Sequence, residues 1–170
     1  MESLKKYLEK LARPMGTTPA ALYERQRQLV RLKLLTVPEK TGPGGGIRAT
    51  PANVAMLLLA CLVTDNLSEI SANIGKIART TPNEGRCRVT RAPSLIAALT
   101  RILSDPAIAS DITSLTFYRS EGTASIGFKK DDVIQPQSKF GRAKEHYQFE
   151  VWSILDGQLL KTISEDLREV

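Results

Sequence analysis

Leu4, Tyr7, Leu8 and Leu11 recur at the spacing of one face of a 3.6-residue helix, and the positions between them are mostly charged. The pattern predicts a helix over residues 3–13, capped by Ser3 and stopped by Pro14 and Gly16. Thr18-Pro19 opens a second helix, a hydroxyl cap followed by a proline where no N–H is needed. It is expected to reach about Leu35, with Leu22, Leu29, Val30 and Leu32 apolar and Arg25, Arg27, Arg31 and Lys33 cationic. Residues 36–49 hold two prolines and four glycines, which exclude a helix, so a small hairpin is expected between Val37 and Ile47. Thr50-Pro51 repeats the cap-plus-proline signal and opens a strongly apolar helix to about Thr64. Leu67, Ile70, Ile74 and Ile77 mark a further helix ending near Thr80.

The period then changes. Residues 81–92 lack an apolar repeat and are taken as a basic linker between domains. Residues 93–104 form a helix burying Leu95, Ile96, Leu99, Ile102 and Leu103. Residues 112–119 and 123–129 alternate as strands around a Ser120-Glu121-Gly122 turn, 131–142 is expected to be a loop, and 146–155 is a third strand. Trp152 is expected to anchor the core of that sheet, and residues 158–168 to form a closing helix. The predicted class is α+β: a helical unit over 1–80, a linker over 81–92, and a small α-β-β-β-α domain with an antiparallel sheet over 93–170.

Charge is unevenly spread. Up to Arg91 there are 15 Lys and Arg against 7 Asp and Glu, a net of +8; after it there are 9 against 11, a net of −2. A basic half joined to a mildly acidic half suits a nucleic-acid-facing part beside a part with another task. Two cysteines are too few for a disulfide scaffold or a four-ligand zinc site, and Cys61 lies in an apolar run as a small core residue. The longest apolar run, 55–63, is too short to span a bilayer, and residues 1–10 have no signal-peptide pattern, so a reducing cytoplasmic, nucleoid-associated location is expected.

Catalytic patterns are missing. Gly42–Gly46 lacks the Gly-Lys-Ser/Thr ending of a nucleotide loop, and His146 has no motif partner for nucleophilic chemistry. Asp131-Asp132 is a turn pair with too few carboxylates nearby for a metal. A non-enzymatic protein without cofactor or metal is expected. Arg86, Arg88 and Arg91 fit either an auxiliary phosphate clamp or a solvated linker.

A helix, a glycine turn, a cationic helix and then a Gly-rich loop is the order of a winged helix-turn-helix. The second helix fits the major groove, and an arginine fork suits guanine O6 and N7. The loop would lie along the backbone, with Lys40 and Arg48 meeting phosphates. Residues 11–58 resemble the winged-helix domain of the MerR and phage excisionase type. The resemblance rests on Met15-Gly16-Thr17-Thr18, Leu22-Tyr23, Leu34-Leu35, Gly45-Gly46-Ile47-Arg48 and Thr50-Pro51-Ala52-Asn53-Val54. The interval from Leu22 to Leu34 is about one helical turn longer than in that family, and no long coiled-coil helix follows the wing.

The resemblance and the charge pattern together imply a sequence-specific regulator of transcription. It would bind double-stranded DNA through Thr18, Tyr23, Arg25, Arg27, Arg31, Lys33, Lys40 and Arg48. The apolar surplus of residues 51–80 suggests a homodimer reading paired half-sites, and the C-terminal domain is expected to serve dimerisation or the binding of a protein partner. The rival readings are a protein–protein adaptor and a small-terminase-like DNA-packaging protein.

Overall fold

The computed structural model describes residues 2–38, 46–142 and 149–169, the side chains of Asn73 and Glu169 excepted. The class is α+β with a five-stranded antiparallel sheet. Four helices come first: α1 (Leu4–Ala12), α2 (Pro19–Arg31), α3 (Pro51–Val63) and α4 (Leu67–Ala78). Side-chain oxygens of Ser3, Thr18, Thr50 and Asn66 accept the first free N–H groups of these helices, so each start is fixed by a local signal. Gly16, at φ +62, makes the turn between α1 and α2 in a conformation that a side chain disfavours.

α2 ends earlier than its sequence suggests. Lys33 takes a left-handed conformation at φ 56, its N–H donates to Val30, and the Leu34 N–H returns to Leu29. The last turn expected up to Leu35 is thereby replaced by a helix-stop motif.

α3 is the central element. Val54, Ala55 and Leu57 to Ala60 have no exposed surface, because α2, α4 and α5 pack around the helix. Truncating one of these leucines to alanine would cost about 2–5 kcal/mol. The apolar surplus read as a dimer surface is thus largely covered within the same chain. α5 (Leu95–Ser104) carries the core on to α6 (Pro106–Asp111) and α7 (Gly157–Glu169). One hydrophobic core runs unbroken from Leu4 to Leu167.

Residues 81–92 do not behave as a linker. Pro82, Cys87, Thr90 and Ala92 are buried. Cys87 and Ala92 close a loop by a backbone bond of 2.9 Å, and Asn83 N–H donates to Lys139. The basic residues of this stretch are mostly tied down. Arg88 is paired with Glu84, and Arg86 donates to the Arg91 carbonyl. That favours a packed loop over a phosphate clamp.

β1 (Ile112–Tyr118) and β2 (Thr123–Lys130) form a hairpin. β2 also carries β3 (Val133–Ile134) and β4 (Ser138–Phe140), which occupy the stretch expected to be a loop. β5 (Trp152–Asp156) lies antiparallel to the outer side of β1. Cross-strand pairing puts Leu115, Phe117, Ala124, Ile126, Phe140 and Leu155 on one buried face. Thr116, Tyr118, Trp152 and Ile154 share the other face. Trp152 is therefore not a core anchor: it is 60% exposed, edge-on to Tyr118 at 5.4 Å. The sheet is joined to α7 at Gly157, where an added Cβ would lie 2.0 Å from the Ile112 carbonyl oxygen.

Among the described residues no helix is long and apolar enough to cross a membrane.

Candidate nucleic-acid interface

The candidate reading head is built from α1, α2 and the segment returning to α3. Leu22, Gln26 and Leu29 form the buried stripe of α2. A turn of 100° per residue then puts Tyr23, Arg27 and Arg31 together on the opposite side, and Arg25 away from them. The structure agrees. Arg27 and Arg31 are exposed, and Tyr23 is half-buried beneath Lys5 of α1, whose Nζ lies 5.3 Å from the ring centroid. That distance falls within the range of a cation–π contact. Lys5 is a member of this face that sequence reasoning missed, because the meeting of α1 with α2 is not a local signal.

Arg25 does something else. Its guanidinium donates to the carbonyls of Ala60 at 3.1 Å, Thr64 at 2.8 Å and Asp65 at 3.3 Å. Ala60 lies in the last turn of α3, Thr64 is its C-cap and Asp65 follows it, where carbonyls lack helical N–H partners. Arg25 is a C-terminal cap for α3 and is withdrawn from the groove-reading set. Arg27 is exposed but paired with Glu24 at 3.0 Å, whereas Arg31 makes no ion pair among the described residues. Thr18 Oγ1 accepts from Ala21 N–H, so its hydroxyl is occupied in capping α2.

The glycine-rich loop is held at its base. Asn53 is buried, its Oδ1 accepts from Thr36 N–H at 2.9 Å, and its Nδ2 donates to the carbonyls of Thr36 and Arg48. One side chain thus pins both ends of the loop. Asn53 entered the sequence reading only within the Thr50 to Val54 stretch; a polar side chain early in an apolar helix is the signal that would have singled it out. The returning segment pairs with the N-terminus: Leu4 N–H donates to Ile47 and Ala49 N–H to Glu2, bridging Arg48 to Ser3. Most of the hairpin expected between Val37 and Ile47 lies outside the described residues. Arg48 is exposed at the bridge and Lys33 is exposed at the end of α2. Lys40, His146 and the glycines of the loop before Gly46 lie outside the described residues.

Elsewhere the chemistry is structural. Arg119 grips Asp65 through two bonds of 2.5 and 3.1 Å and also donates to the Leu62 carbonyl and to Ser153 Oγ. These bonds hold the Asp65 carboxyl below its ordinary pKa. Burial pushes the Cys61 thiol up to about 11, so it stays protonated and unreactive near neutrality. A cleft of about 640 Å³ lies between α4 and the ends of β1 and β2. Its lining mixes Glu69 and Glu121 with Lys76, Arg119 and Arg142, with no cysteine among the described residues. No cluster of three metal-ligating side chains occurs among the described residues.

Compared with family models, with curated proteins and with solved structures, the chain matches none of them.

Proposed function

We propose that the chain is a DNA-binding regulator that lays the outer face of α2 into the major groove. The observation that carries this is the grouping of Lys5, Tyr23, Arg27 and Arg31 on one exposed side, beside the pinned base of the glycine-rich loop. Supporting it are the helix–glycine turn–helix order and the bridge from Ser3 to Arg48, an arrangement compatible with a winged helix. In this reading Arg27 and Arg31 contact bases or adjacent phosphates. Lys5, Lys33, Lys40 and Arg48 neutralise backbone charge, and Tyr23 positions Lys5. The protein acts by binding rather than by catalysis.

The test is fluorescence anisotropy of the full chain with duplexes selected from a randomised pool. Affinity should fall steeply with salt, and the Arg27→Ala, Arg31→Ala double variant should flatten the log–log slope by about 0.9 for each phosphate it no longer neutralises. A variant that keeps wild-type affinity and slope would overturn the reading in favour of a protein adaptor.

A further inference from the structure

The sheet has two unlike edges. On one side β2 carries strands of two and three residues, flanked by Lys130, Asp131, Asp132 and Pro136, with Lys139 in the middle of β4. Short strands, charge and proline are the features that keep a sheet edge from pairing. On the other side β5 has five residues, and no charge or proline occurs from Val151 to Leu155. Trp152 and Ile154, 60% and 59% exposed, stand on the same face of it, and Phe149 and Val151 extend the exposed apolar surface.

The backbone of this edge is open as well. Arg119 N–H donates to the Val151 carbonyl, so alternate residues Val151, Ser153 and Leu155 turn their backbone groups toward β1. Trp152 and Ile154 turn theirs away, and no further element among the described residues bonds to them. A cleft of about 390 Å³ lies beside the strand, between it and Met15-Gly16-Thr17.

We infer that β5 is where two copies of this chain join, strand against strand, around a two-fold axis at Ser153. An antiparallel edge can pair with its own copy. In this register the outward backbone groups of Trp152 meet those of Ile154 in the second copy, and the reverse. Each tryptophan ring then packs on a β-branched neighbour on the same face, a favourable cross-strand pair. A standard interface needs roughly 800 Å² from each partner. Four exposed apolar side chains, two of them aromatic, supply on the order of half of that. Glu150 falls opposite Asp156 at each end of the pair, a like-charge contact that weakens the association. The result is one sheet continuous across both copies. This inference stands apart from the DNA-binding reading, since it concerns the free protein and a different surface.

Sedimentation velocity on the full chain, from micromolar to near-millimolar concentration without nucleic acid, tests it. The mass should rise from 18.7 kDa toward twice that value, with a blue shift of the single tryptophan's emission. Ile154→Lys should hold the chain monomeric, while Val133→Lys, at an equally exposed site on the opposite edge, should dimerise as wild type does. If circular dichroism shows Ile154→Lys unfolded, Trp152→Thr replaces it, keeping strand propensity while removing the ring. A wild-type chain that stays monomeric throughout, a folded edge variant that still dimerises, or equal disruption by Val133→Lys would each overturn the inference. None of these outcomes bears on duplex affinity, which is measured separately.

Discussion

The helical first half and the sheet-bearing second half present opposite kinds of surface. Among the described residues up to Arg91 the exposed large hydrophobics reduce to Val37, whereas the second half leaves Val133, Ile134, Phe149, Val151, Trp152 and Ile154 in water. The first half presents cations instead, with Lys5, Arg27 and Arg31 on one face. Ion pairs occur in both halves: Lys10–Glu2, Arg27–Glu24 and Arg88–Glu84 in the first, Lys129–Asp132 and Lys161–Glu165 in the second, with Arg119–Asp65 between them. The contrast in charge therefore lies in the net +8 of the first half against −2 of the second. The exposed cations of the first half and the exposed apolar side chains of the second are the surfaces on which the two proposals rest.

The strongest way to break this comparison is at the joint. Gly157→Ala drives a methyl into the Ile112 carbonyl, which is backbone and cannot swing away. The expected loss is about 3 kcal/mol or more, read as a large drop in melting temperature. A change of only a degree or two would mean that β1 and α7 shift apart easily.

Next in size is the contrast between two arginines of α2. Arg25→Ala leaves three carbonyls at the end of α3 without their donor and should cost about 1–3 kcal/mol in denaturant unfolding. Arg31→Ala should change stability by less than about 0.5 kcal/mol and weaken duplex binding. Equal stability losses would erase the distinction between the inward and outward sides of the helix.

The smallest effect sits at Asp65. Its carboxyl is largely exposed, so the Arg119 pair is screened and Asp65→Asn should cost less than about 1 kcal/mol at neutral pH. Because the folded carboxyl titrates below its ordinary value of 3.8, that stability is fully present above 3.8 and fades as pH falls through the lower folded value. Wild type and variant should converge in acid. A difference that persists there would point to packing rather than charge.

Much of the helical half was legible because its signals are local. Ser3, Thr18 and Thr50 announce helix starts by side-chain chemistry acting within three residues, and each caps the helix it was expected to cap. The end of α2 was not legible, since a lysine at φ 56 carries no mark that a glycine would have carried. The candidate face was legible only in part. Arg25 and Arg27 look alike in sequence, and helical phase separates them only once the buried side of α2 is known.

The amino-acid sequence by itself determined where α1, α2 and α3 begin, that the class is α+β, and that the cations concentrate in the first half, because these follow from periodicity, caps and composition; α6, a helix of six residues, went unread. Tertiary structure alone decided which side of each element faces inward. In the stretch around β5, Trp152 and Ile154 alternate with Val151 and Leu155, so both faces are apolar and the period cannot choose between them. The helices packed on the sheet buried Leu155 and left Trp152 outside. Burial is a property of what arrives from far along the chain, and no local pattern encodes it.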